Sequence, residues 1–171
     1  MQTNIIASIQ AVQAGPNDFG GPTFAPLIRQ SLETSLGTGA NQADILFTDE
    51  RQVAASSNDD LDLVGVLTNA FGATISAAEL VAVMIINAPL TGAANTTNLT
   101  IGGGTNAVVG FLGGTTPTIG PIRPGGVFLL ACADAAGLGL VTAGTGDILR
   151  IANSAGAAAR YQIAIVARSV A

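Results

Sequence analysis

The chain contains neither lysine nor histidine, and its six basic residues are all arginine. Without histidine it lacks the side chain that most readily exchanges protons near neutral pH. Without lysine it has no Schiff-base nucleophile, no Ser–Lys dyad and no phosphate-gripping P-loop lysine. Tryptophan is absent too, and Cys132 is the only cysteine, so no intrachain disulfide forms. Cys132 closes the apolar run 127–132, where a cysteine reads as a small buried hydrophobe and has no histidine to activate it. Most familiar catalytic arrangements are closed to such a chain.

Charge is also scarce. Charged residues make up 10% of the 171 positions, against about 25% in an ordinary soluble domain. A compact monomer of this mass exposes roughly 7,700 Å², which leaves each of its 17 charged side chains to serve about 450 Å². Large uncharged surface of this kind marks contact with other protein. The net charge of −5 and six scattered arginines provide no basic stripe for displacing phosphate counterions, so no nucleic-acid partner is expected. Arg150, Arg160 and Arg168 are the three that could gather on one sheet, with Asp147 nearby. The longest apolar run, 80–86, falls far short of the ~20 residues needed to span a bilayer, and residues 1–4 carry no charged leader, so no membrane role is expected.

What the chain does have is apolar residues, 49% of the total, and 22 glycines. Residues 15–22 and 24–26 are rich in Gly and Pro, which rules out a long helix near the N-terminus. Ile5, Ile6, Ile9 and Val12 fit a helical face or an irregular strand, and 27–36 alternates as a strand. This opening segment is either an arm reaching onto a neighbour or a first hairpin of the main sheet. From Ala43 onward, short strands are predicted over 45–54, 60–67, 79–87, 98–101, 108–112, 127–132, 139–142, 147–153 and 159–170. Glycine clusters punctuate them about every ten residues. In the last strand Tyr161, Ile163 and Ile165 share one face, and Ala164 and Val166 the other. The 80–86 run is apolar on both faces, as in a central strand between two layers, and its β-branched residues disfavour the alternative of a helix. The fold class is therefore all-β: an antiparallel β-sandwich, jelly-roll-like, over 43–171, preceded by an N-terminal arm or hairpin over 1–42.

The polar clusters read as structural. Asn58, Asp60 and Asp62 have the spacing that begins a calcium loop, but Leu63 stands where its glycine belongs and Asn69 where its glutamate belongs. A turn followed by a strand with Asp60 and Asp62 facing solvent accounts for them. Asp49 and Glu50 are strand neighbours and point to opposite faces, so they make no glycosidase pair. Asp49 with Arg51 reads as a surface or interface ion pair. The glycines at 102–104 lack a phosphate-loop ending, and the Asn95 and Asn98 sequons match by spelling alone. No catalytic, cofactor-binding or metal-ligating residue is assigned. The only chemistry left open is a carboxylate hydrolase using Glu33, Glu50 or Glu79.

The segments Phe47-Thr48-Asp49-Glu50-Arg51, Ala54-Ala55-Ser56, Asp60-Leu61-Asp62-Leu63, Arg123-Pro124-Gly125-Gly126-Val127 and 143–154, in this order, resemble small virion structural proteins of tailed bacteriophages. The resemblance spans 43–170. It implies a β-sandwich subunit on the capsid exterior, made in the host cytoplasm, with no enzymatic activity. Such a subunit is expected to be a capsid decoration (cement) protein that binds the major capsid protein and self-associates as a homotrimer. A tail tube or fibre-base subunit, or a carbohydrate-binding module, is the alternative. Contacts are expected at the N-terminal arm, the 95–116 loops and the 121–126 turn, with arginines anchoring polar interface contacts.

Overall fold

In the computed structural model, which describes residues 1–16, 18–108, 110–112 and 116–171, regular structure is all strand. The first four strands, β1 (Thr3–Gln10), β2 (Gln13–Ala14), β3 (Thr23–Phe24) and β4 (Leu27–Thr34), build one long hairpin. β1 pairs only with β4, from Thr3↔Thr34 to Gln10↔Leu27, and β2 only with β3. Ile5, Ile6 and Ile9 thus lie on a strand, and the hairpin is a ribbon separate from the main sheets.

The body is built from β5 (Ile45–Val53), β6 (Asn58–Asp62), β7 (Val64–Thr68), β8 (Thr74–Ser76), β9 (Glu79–Ile86), β10 (Leu99–Gly102), β11 (Thr118–Ile122), β12 (Val127–Ala131), β13 (Gly139–Leu140), β14 (Ile148–Asn153) and β15 (Ala159–Arg168). One sheet has the order β12-β9-β15-β5, with β13 on the start of β9; the other has the order β11-β10-β14-β6. Every ladder in both is antiparallel. The eight strands of these two orders switch sheets at every connection but one, the β10–β11 neighbour pair. That is the connection pattern of a jelly roll.

Strand alternation builds the core. Phe47, Val83, Ile85, Tyr161, Ile163 and Ile165 from the first sheet meet Leu61, Leu99, Ile101, Leu149 and Ile151 from the second in one buried cluster. The predicted grouping of Tyr161, Ile163 and Ile165 on one face holds.

Three strand predictions change. The 60–67 segment is two strands, not one. At Leu63 the chain leaves the sheet: Asp62 accepts the Val64 N–H at 2.8 Å, and β7 turns to pair with β8. The described part of 108–112 is loop, with Val109 outside the described residues. Its apolar residues plug the core instead of forming a strand: Val108 is fully buried, and Phe111 and Leu112 pack on the same cluster. There is no room for a side chain at Gly110, whose Cβ would lie 2.6 Å from the Gly139 Cα. Conversely, β11 forms through Gly120 and Pro121 at a sheet edge, the one place where a strand tolerates proline.

One buried ion pair ties the hairpin to the body. Arg168, at the end of β15, is completely buried and meets Glu79 of β9 at 2.9 Å. Its other donors reach the carbonyls of Gln42 (3.0 Å), Ala133 (3.2 Å), Asp134 (2.7 Å) and Ala135 (3.4 Å), so all five guanidinium N–H groups are used. The Ala133 carbonyl also accepts the Asn41 N–H at 2.6 Å, and Ala43 donates to Ser35. Arg168 therefore joins both central strands to the segment on which the hairpin is mounted. Replacing one partner strands the other charge out of water. Arg168→Met should cost about 3–5 kcal/mol in urea unfolding, and adding Glu79→Leu should recover part of that loss. A single-variant loss below about 1 kcal/mol would show that the pair does not anchor the junction.

Candidate functional site

The two sheets differ sharply on their outer faces. On the β6–β14 sheet, alternation turns Asn58, Asp60, Asp62, Arg150 and Thr100 outward. Arg150 grips its cross-strand partner Asp60 through two hydrogen bonds of 2.6 and 2.7 Å, which hold the Asp60 carboxyl below its ordinary range. This is a solvated face, and Asp60 and Asp62 lie where the sequence placed them.

The outer face of the other sheet is apolar. Its registers align three cross-strand rows: Ala131–Ala82–Val166–Leu46, Leu129–Met84–Ala164–Thr48 and Val127–Ile86–Gln162–Glu50. Nine of these twelve side chains are apolar, and only Glu50 is charged. Glu50 is engaged at the margin, accepting the Leu90 N–H at 2.7 Å with Arg160 3.7 Å away. The first row is covered from within the chain. A bulge in β9 turns both Val81 and Ala82 outward, where they pack with Val166, Ala133, and Ile5 and Leu32 of the hairpin. Leu46, at the β5 end of that row, stays exposed; in the next rows Met84, Ile86 and Leu129 are half-buried and Val127 is exposed. β9 was expected to lie between two layers, but only one full layer and part of a second are present.

Two grooves trace how the hairpin crosses this face. One, of about 230 Å³, sets Thr3, Asn4, Ile5 and Ile6 against Leu46, Met84, Leu129 and Val166. The other, of about 210 Å³, sets Ala7 and Gln30 against Leu129, Leu130 and Ala131 of the edge strand β12. From Ser8 to Ser31 the described residues of the ribbon are exposed, apart from the part-buried Gly15, Gly21 and Pro26. Ile9, Val12 and Ile28 are 70%, 70% and 71% exposed, and Phe24 and Leu27 are exposed as well.

Elsewhere, polar side chains hold the body together. Arg51 was expected to pair with Asp49, and it does at 3.2 Å. Its stronger partner is Asp59, gripped at 2.6 and 2.9 Å. Tyr161, fully buried, donates to the same Asp59 carboxylate at 2.7 Å, which joins the two sheets. Burial alone would push the Asp59 carboxyl up, but the hydrogen bonds from Arg51 and Tyr161 outweigh it and hold it below the usual 3.8. Burial, then the Asp59 hydrogen bond, drives the Tyr161 hydroxyl far above its ordinary value. Buried Asn87 donates to the Thr97 and Ile122 carbonyls and accepts from Asn95, which fixes the 87–98 loop. The Asn95 sequon side chain is thus engaged inside the chain.

The arginines depart from expectation in two ways. Arg150 lies on a different sheet from Arg160 and Arg168, so the three do not gather. Arg51, Arg150, Arg160 and Arg168 all form ion pairs within the chain, so four of the six are committed internally and not held for an interface. Of the three glutamates left open for hydrolysis, Glu79 is sealed against Arg168, Glu50 sits on β5 and Glu33 is exposed on the ribbon. They do not face one another across a cleft. Among the described residues no group of three or more His, Cys, Asp and Glu side chains is placed to hold a metal. A loop cavity of about 410 Å³ is lined by 47–49, Arg51 and 66–70, with Asp49 and Arg51 already paired there.

No family model, curated protein or solved structure matches this chain. Its apolar face and arm are therefore interpreted from their own chemistry. Residues 109 and 113–115 within the expected 95–116 contact loops lie outside the described residues.

Asp59 and Asp60 are both held below 3.8. Their ion pairs therefore stabilise the fold fully above about pH 4, and that stabilisation is lost as pH falls through the depressed values. Acid unfolding should steepen below about pH 4, and Asp59→Asn should flatten that limb of the stability curve. Tyr161→Phe should cost about 1.5–3 kcal/mol, the range for a hydrogen bond to a charged group. A pH-independent stability between 5 and 2 would contradict the assignment.

Proposed function

We propose that this chain is a structural subunit of a bacteriophage virion, most specifically a capsid decoration (cement) protein that binds the major capsid protein and acts as a homotrimer. One observation carries the reading. A chain with few charges commits four of its six arginines to pairs within itself, and leaves the central rows of one sheet face and several side chains along a projecting ribbon apolar and exposed or half-exposed. Charge-depleted, apolar centres are what extended protein contacts require. The resemblance of 43–170 to small tailed-phage virion proteins supplies the class of assembly. The jelly roll itself serves many functions and is given no weight alone.

The mechanism is mechanical. Each copy contacts several coat subunits, and modest contacts repeated over a lattice raise the cost of separating them. The alternatives fit less well. A carbohydrate-binding module commonly stacks sugars on exposed aromatic rings; here tryptophan is absent, Tyr161 is sealed in the core, and the exposed rings are Phe19 and Phe24 on the ribbon and Phe71 between β7 and β8. An enzyme needs a convergent set of reactive groups, and the carboxylates here are paired or apart.

Virion composition tests the proposal. Quantitative mass spectrometry of purified particles should find this protein at copy numbers comparable with the coat subunit. Absence from particles would refute the virion role. Presence at only a few copies each would move it to the tail.

A further inference from the structure

We infer that the distal half of the hairpin is an exchanged arm: in solution it lies on the uncovered outer rows of the β12-β9-β15-β5 sheet of a second copy of this chain. The inference deepens the reading of the chain as an assembling subunit and rests on that part of it. It does not require a virion.

The first argument is that the docking face of the ribbon runs past its own body. Thr3, Ile5, Ala7 and Ile9 alternate onto one face of β1, opposite Thr34, Leu32, Gln30 and Ile28 of β4. On that face the Ile5–Leu32 rung is seated on Val81, Ala82 and Val166. The Ile9–Ile28 rung, four residues on, repeats its chemistry with nothing beneath it. At roughly 3.3 Å per residue, the strand from Ile5 to Ala14 carries the ribbon about 30 Å beyond its seated rung. The total exposed area agrees. The chain exposes 9132 Å², about 1,400 Å² more than a compact monomer of its mass.

The second argument is that the surface such a ribbon needs exists on the same chain. The seat of Ile5 and Leu32 continues without a break into Leu129, Met84 and Ala164, which the home arm borders across two grooves, and then into Val127 and Ile86, which line neither groove. A neighbour's ribbon placed there would extend a contact the chain already makes with its own residues. Charge permits it as well: Asp18 and Arg29 are the charged residues of 6–31, and Glu50 is the sole carboxylate of the three rows.

Magnitude decides between a stray apolar patch and an interface. Ile9 and Ile28 of the docking face, with Val12 and Phe24 farther out, together expose on the order of 500 Å², taking roughly 150–250 Å² for a large side chain. That lies toward the upper end of the patches common on a monomer and below the ~800 Å² per partner of a stable interface. Reciprocal exchange would double it. An isolated two-stranded ribbon is also marginally stable in water, so the arm gains order from being covered.

The test uses the purified full-length chain. Light scattering should give a closed oligomer, a multiple of 16.9 kDa. The double substitution Ile9→Thr with Ile28→Thr keeps strand propensity and removes apolar area; it should weaken association about 100-fold without lowering the unfolding midpoint. Leu129→Asp on the receiving face should do the same. In a Cys132→Ser background, mixing a chain carrying Ile28→Cys with one carrying Leu129→Cys should give a disulfide-linked pair under oxidation. A monomer at about 100 µM, an oligomer that survives both sets of substitutions, or failure of that cross-link would overturn the exchange. A monomer in solution that is nonetheless abundant on particles would overturn the exchange and leave the virion reading standing. A cross-linked oligomer absent from particles would do the reverse.

Discussion

The buried Arg168–Glu79 pair is the constraint around which the molecule is arranged. A guanidinium taken fully out of water survives only if every donor is satisfied, and here five acceptors from three parts of the chain converge on it. Those parts are β9, the 133–135 loop and the 41–42 junction, and β15 carries the arginine itself. Because the acceptors are mostly carbonyls with fixed positions, the junction cannot drift relative to the sheet. The pair thus sets where the ribbon leaves the body and which row of the outer face it covers.

From that anchor, the division of labour between the two sheet faces follows from how few charges the chain has. The Arg51–Asp59–Tyr161 network joins the sheets, and Arg150–Asp60 braces the solvated one. Arg160 and Glu50 guard the margin of the apolar face. Little charge remains for solubility across Met84, Leu129, Val127 and the distal ribbon. An apolar surface mounted on a rigid root is suited to contact with protein.

Much of this was legible in the amino-acid order. The period-two pattern of β15 and the two-faced apolarity of β9 gave their positions, because side-chain alternation is local. The second of these also signalled the functional surface, since a strand apolar on both faces demands a second layer. What the sequence could not give depended on distant partners. Glu79 and Arg168 lie 89 residues apart, so nothing local marks them as a pair, and Arg51 lies nearer in sequence to Asp49 than to the Asp59 it grips. Val108, Phe111 and Leu112 read as a strand because burial, not pairing, sets their hydrophobicity. β11 was hidden by Pro121, which an edge position tolerates. The ribbon's separation from the main sheet rests on the Thr3↔Thr34 register, a contact across 31 residues.

The central claim is that the distal ribbon and the outer rows of the apolar face are buried against other copies. Hydrogen–deuterium exchange across a dilution series measures this directly on the unmodified protein. The account predicts that amides of residues 6–12 and 24–30, together with those of β12, gain protection as concentration rises, while those of β6 and β14 stay constant. Exchange that is rapid in the ribbon and identical at every concentration would contradict it.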